Sequence, residues 1–132
     1  MKAMGALLMS LALLACNARD EPSAAEYREI EVPVDRLSSD EARQRGRTLF
    51  RAKCALCHGD GADGRGVRSK GLSGKPANFT NPEWRRTTTP AQVFRILSEG
   101  KRGTSMPAWP TLSDDQKWDV IAYVLSVAED GP

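Results

Sequence analysis

Apolar residues recur at helical spacing in three stretches of this chain, and polar residues at their edges mark where each helix starts and stops. The clearest stretch is the last. Trp118, Ile121, Ala122 and Leu125 make an i, i+3, i+4, i+7 stripe. It is opened by Ser113 in capping-box register with Gln116, which predicts a helix to about Val127. A second helix is predicted after Thr89, with Pro90 at its first position, through Val93, Phe94, Ile96 and Leu97 to a stop at Gly100. The first begins near Ser38, boxed by Glu41, and runs to about Cys54, with Ala42, Leu49, Phe50 and Lys53 on or near its inner face. No strand pattern is convincing and no internal repeat is visible. The pattern reads as all-α, with three main helices.

Residues 59–88, between the first and second helices, are rich in Gly and Pro. About 30 residues without regular structure are too many for a self-sufficient domain of about 90. A domain that small also buries little core of its own. A large apolar cofactor at the centre, with the loop wrapped around it, would remove both difficulties.

The apolar pattern at the start of the chain is of another kind. Ala3–Ala15 is a 13-residue run, apolar apart from Ser10, preceded by Lys2 and followed by Cys16 and polar residues. It is too short to cross a hydrocarbon core of ~30 Å as a helix and reads as a signal segment, residues 1–15, of an exported protein. Leu13-Leu14-Ala15-Cys16 resembles the lipobox of bacterial lipoproteins, which implies lipidation of Cys16 and a membrane anchor; ordinary cleavage near Ala18 is the alternative. An otherwise unpaired third cysteine favours the first. Residues 16–38 read as a tether with Pro22 and Pro33, spanning roughly 25 Å if flexible. Ile30, Val32 and Val34 alternate with polar or Pro residues, so part of the tether could lie along the domain as an extended strand. The domain itself is expected over residues 39–132.

Charge divides the chain at the same place. Asp20–Glu41 holds eight acids against Arg28 and Arg36, whereas from Ala42 onward fifteen Lys and Arg face nine Asp and Glu. Arg43, Arg45, Arg47, Arg51 and Lys53 share the first predicted helix, either as a solvated face or as a steering surface for an acidic partner. Interleaved aromatics and groove-reading motifs are missing, which excludes a nucleic-acid binder.

Cys54-Ala55-Leu56-Cys57-His58 carries the chemistry. A C-x-x-C-H run reads as a site of covalent haem c attachment. Residues i and i+3 of a helical turn face one side, so both thiols can reach the two vinyl groups of one porphyrin. His58 beside them can then serve as the proximal iron ligand. The competing readings explain less. A thioredoxin-like pair expects a βαβ setting, structural zinc needs four ligands, and a plain disulfide leaves His58 without a role. His58 is the one histidine of the chain, so the second axial ligand must be another residue type. Met106, the one methionine outside the signal segment, lies 48 residues beyond it between Ser105 and Pro107. Lys101 is a chemically possible but unusual substitute.

These residues resemble class I cytochromes c over residues 40–128. Gly59, Gly61, Gly64 and Gly66 match the family's continuation of the attachment segment, and Pro76-Ala77-Asn78-Phe79 matches a loop of small bacterial monohaem members. Met106-Pro107 matches the distal-ligand segment, while Gly46 and Phe50 with Val120 and Tyr123 match the crossing of the terminal helices. The resemblance implies a cytochrome c fold around one haem, with a Pro carbonyl, at Pro76, accepting a hydrogen bond from the proximal His. With both axial positions filled, one-electron transfer is the expected activity, with no small-molecule substrate and no enzymatic role.

The expected partners are a quinol-oxidising complex as donor and a terminal oxidase or reductase as acceptor, in the bacterial periplasm. Two alternatives stand beside a mobile carrier. One is an electron-relay subunit of a larger respiratory or dehydrogenase complex; the other is a ligand-binding or sensing haem protein with a labile Met106. Trp109 lies either by the haem edge or in the packing of its loop. Trp84, Arg85 and Arg86 are expected at the surface, the alternative being an approach to a haem propionate.

Overall fold

The computed structural model describes residues 29–128, so the expected signal segment, Cys16 and the tether as far as residue 28 lie outside the described residues. Six helices follow in order: α1 (Val34–Ser38), α2 (Asp40–Lys53), α3 (Ala55–His58), α4 (Pro82–Thr87), α5 (Pro90–Glu99) and α6 (Asp114–Val127). No strand occurs among the described residues. None of these helices is long and apolar enough to cross a membrane.

α6 is the axis of the fold. Ser113 Oγ accepts from the Gln116 amide, and the Gln116 side chain accepts from the Ser113 amide, which closes a capping box. Asp114 and Asp115 in the first turn oppose the positive end of the helix dipole. The predicted stripe of Trp118, Ile121, Ala122 and Leu125 is buried, and so are Val120 and Val124 beside it. A helix apolar on nearly every side must be surrounded. α2, α5 and α1 all pack on it.

The closest approach is between α2 and α6. A Cβ on Gly46 would overlap the Asp119 carbonyl oxygen and lie 3.0 Å from Tyr123 Cβ. The absent side chain lets the backbones meet, at a cost of ~1 kcal/mol in helix propensity relative to Ala. One turn on, Phe50 is fully buried with its ring 5.2 Å from that of Tyr123. Ala42 and Phe50 face inward as expected, Leu49 is half-buried, and Lys53 is exposed.

The start of the domain departs from expectation. Ser39, not Ser38, caps α2, accepting from the Ala42 amide at 3.3 Å. The Ser38 hydroxyl donates back to the Val34 and Asp35 carbonyls within α1. The segment read as the end of a tether therefore contains a helix, not an extended strand. It is held by side chains distant in sequence: Ile30, Val32 and Leu37 pack against the core. Arg36 bonds Asp119 Oδ1 at 3.1 Å and Asp115 Oδ1 at 3.1 Å, while Arg45 grips the same Asp119 at 2.8 and 3.1 Å. Asp119 is buried, and two guanidiniums offset the cost of removing its charge from water.

α5 starts and stops where predicted, with a capping box between Thr89 and Gln92 and Gly100 at its end. α4, inside the expected loop, was not predicted; Asn81 caps it with Pro82 in its first turn. It sets Trp84 edge-on to Phe79, centroids 4.7 Å apart.

Candidate haem site

α2 gives way at Cys54 to the single turn of α3. The Cys57 and His58 amides both donate to the Cys54 carbonyl, at 3.1 and 3.0 Å, so two thiols and one imidazole leave the same turn. Cys54 and Cys57 are not joined in a disulfide. Burial pushes the Cys54 thiol up to about 11, which keeps it protonated at neutral pH. Attachment through a neutral thioether would impose no buried charge there.

A helix end leaves carbonyls without partners, and the glycine-rich loop supplies them. Gly59 donates to Ala55, Gly64 to His58, Gly66 to Cys57 and Arg68 to Leu56, all at 2.8–3.1 Å. Gly66 is required there because a Cβ would overlap the Leu56 carbonyl oxygen. Further along, the Phe79 amide donates to the Ala62 carbonyl at 2.8 Å. That bond sets the register of residues 76–79 against the turn.

The register corrects one expectation. His58 Nδ1 lies 3.1 Å from the Ala77 carbonyl, not that of Pro76. The Pro76 carbonyl instead faces Gly64, 2.8 Å from where a Cβ on that residue would stand. With Nδ1 donating, the other ring nitrogen keeps its lone pair for a metal. Burial holds the imidazole below its ordinary pKa, and the Ala77 carbonyl only partly counters this. His58 is thus neutral at pH 7, the form that ligates. Phe79 stacks on it at 4.8 Å and 28°.

Met106 arrives on a separate loop. Its carbonyl accepts from Lys101 at 3.0 Å and its amide donates to Thr104 Oγ1 at 3.1 Å, closing a tight turn between Gly100 and Pro107. The Ser105 amide donates to the Ser73 carbonyl, and the Ser73 amide to Ser105 Oγ, each at 2.9 Å. One loop therefore holds His58 near its Ala77 end and braces the Met106 segment at Ser73. Met106 is half-buried and packs on the core that contains Cys54 and Phe79.

The donor set fits a haem. Among the described residues no group of three or more His, Cys, Asp or Glu could hold a bare metal ion. One imidazole and one thioether suit an iron whose other ligands come from a porphyrin. A buried donor points the same way: Trp109 Nε1, three residues past Met106, finds no acceptor among the described residues. A buried indole N–H needs one, and the carboxylates of a haem are of the right chemistry. The sequence left Trp109 undecided and missed Ala77, since a main-chain acceptor carries no residue signature.

Comparison with known proteins agrees with this reading. The family described as cytochrome c oxidase, cbb3-type, subunit III matches residues 41–124. The cbb3-type cytochrome c oxidase subunit FixP of Sinorhizobium medicae is 28% identical over 93 residues, covering 64% of this chain and 29% of FixP. The thiosulfate dehydrogenase of Allochromatium vinosum is 29% identical over 126 residues, 92% of this chain and 44% of that protein. The chain thus spans less than half the length of these curated relatives. Among solved structures, a chain of the Kuenenia stuttgartiensis reducing HAO-like protein complex superposes with a TM-score of 0.63 at 27% identity, covering 79% of this chain and 53% of that one.

Proposed function

The chain belongs to the cytochrome c family described by cbb3-type cytochrome c oxidase subunit III, and from that premise we propose a one-electron carrier with a single haem c joined to Cys54 and Cys57 and ligated by His58 and Met106. The observation that carries this reading is the 3.1 Å contact between His58 Nδ1 and the Ala77 carbonyl, on the turn that also bears both thiols. The haem supplies a one-electron ferric–ferrous couple; the protein supplies its setting. Ala77 fixes the plane of the imidazole and raises its basicity. The Met106 thioether favours the ferrous side, and so does burial, because the ferric centre carries more charge. With His58 and Met106 both holding the iron, no ligand position would remain for a substrate, and the two side chains would serve electron transfer rather than bond making.

In this proposal Cys16 carries the lipid, and the exported domain moves between a quinol-oxidising donor and a terminal oxidase or reductase. Confinement to the membrane surface raises the effective concentration of each partner. A second reading is a fixed relay subunit. It draws support from the relatives, which are named as an oxidase subunit and as part of a multiprotein complex.

Mass spectrometry of the native exported protein tests the attachment directly: one haem adduct on the peptide bearing Cys54 and Cys57 is expected, with acyl chains on Cys16. A mature protein that is colourless and weighs only its amino acids sinks the proposal. Copurification of a stoichiometric partner in mild detergent would select the relay over the carrier.

A further inference from the structure

Phe79 donates nothing to the haem site through its side chain, yet it is the residue most tightly arranged around His58. It is buried, and its ring lies on the imidazole at a centroid distance of 4.8 Å with 28° between the planes. Phe50 and Trp84 meet that ring nearly at right angles, at 5.9 Å and 77° and at 4.7 Å and 81°. Its backbone is pinned on both sides. The Phe79 amide donates to the Ala62 carbonyl at 2.8 Å. Asn78 Oδ1 accepts from the Thr80 amide at 2.9 Å and from the Thr80 hydroxyl at 2.6 Å, an Asx turn that encloses Phe79. Ala62 is itself the one non-glycine residue with a positive φ, +58°, among those described, and it is fully buried. A left-handed alanine persists where its surroundings over-determine it. Here the Ala62 amide donates to the Gly59 carbonyl at 3.0 Å while its own carbonyl takes the Phe79 amide.

We infer that Phe79 is a positioning residue for His58: its ring, locked by Phe50, Trp84 and the Ala62 clip, fixes the rotation of the imidazole and shields the Nδ1–Ala77 hydrogen bond from water. The 3.1 Å contact between Nδ1 and the Ala77 carbonyl anchors one corner of the imidazole. A ring anchored at one corner can still pivot about that line, and water can still compete for the bond. A second ring on its face removes the pivot and covers the bond, and paired aromatic rings hold a preferred offset. The inference rests on the electron-carrier reading for its consequence: an axial ligand that keeps one orientation in both oxidation states adds no rearrangement to each electron transfer. The clamp itself is built from the chain's own rings.

The test compares the haem-loaded protein with Phe79→Leu, which keeps an apolar side chain and the backbone clip but offers no ring face. Exchange of the His58 Nδ1 proton with solvent, followed by NMR, is expected to speed up about tenfold, the opening that loss of one aromatic pair allows. The shifted haem-methyl resonances of the ferric protein are expected to rearrange as the imidazole turns. The midpoint potential is expected to fall as water nears the ligand. Trp84→Leu frees Phe79 from one side and is expected to give a smaller change in the same direction; it carries the test alone should Phe79→Leu fail to take up haem. Ser113→Ala is the control, because it weakens α6 without touching these rings. Wild-type proton exchange and methyl shifts in Phe79→Leu, or the same changes in Ser113→Ala, would overturn the positioning role. A native protein without haem would instead sink the electron-carrier reading, and Nδ1 proton exchange in that protein and its Phe79→Leu variant would still decide the clamp.

Discussion

The α2–α6 crossing and the loop half of the molecule hold together by different means. In the crossing, Gly46 lets two backbones touch, Phe50 and Ile121 are fully buried, and Asp119 is gripped by Arg45 from α2 and Arg36 from α1. Residues 59–81 have few buried side chains of their own, Ala62 and Phe79 being the main ones. They are held instead by amides turned onto the carbonyls of the attachment turn and by the Ser73–Ser105 pair. The crossing is thus a protein core in the ordinary sense, whereas the loop is a wrapper whose cohesion leans on what it encloses. A small domain can divide labour this way because covalent attachment keeps the enclosed group in place.

Four substitutions would break or sharpen that contrast. Gly46→Val strikes the crossing where there is no room and should cost on the order of 4 kcal/mol or more. Loss of the cooperative thermal transition by circular dichroism is expected, and a wild-type melt would show that the helices do not meet there. Gly66→Ala strikes the wrapper, since its Cβ would overlap the Leu56 carbonyl oxygen. About 3 kcal/mol of local stability should be lost, read as faster hydrogen exchange over residues 59–81 while helical ellipticity is kept. Equal loss in both halves would erase the distinction. Asp119→Ala removes the shared carboxylate. Because Arg45 is 55% exposed and can recover water, the expected cost is about 2 kcal/mol by urea denaturation. A double-mutant cycle with Arg45→Ala should show coupling. Ser113→Ala removes the α6 cap and should lower stability by about 1 kcal/mol without altering the visible spectrum.

What could be read in advance follows the same division. α5 and α6 were legible to the residue because their signals are local: Thr89-Pro90 with Gln92, and Ser113 with Gln116, lie beside the turns they close. α4 carried an equally local signal in Asn81-Pro82-Glu83, hidden among loop-forming neighbours. At the start of α2 two adjacent serines offered two registers. What separates them is α1, which needs Ser38 for its own carbonyls. α1 in turn depends on Arg36 meeting Asp119, a contact between residues 83 apart that no periodicity encodes. At the candidate site, Cys54, Cys57 and His58 could be named from the motif, and Met106 as the one methionine outside the signal segment. Ala77 could not, because any residue's carbonyl would serve. Only the Ala62–Phe79 hydrogen bond decides which one arrives at His58.

The grip of Asp119 on Arg36 also has a mechanical side. Any pull reaching the domain through the chain before residue 29 comes first to the α1 segment, and α1 is hitched to the central helix rather than to the loops. The load passes into the α2–α6 core. Pulled from that end, the domain would turn about its hitching point while His58 and Met106 keep their spacing.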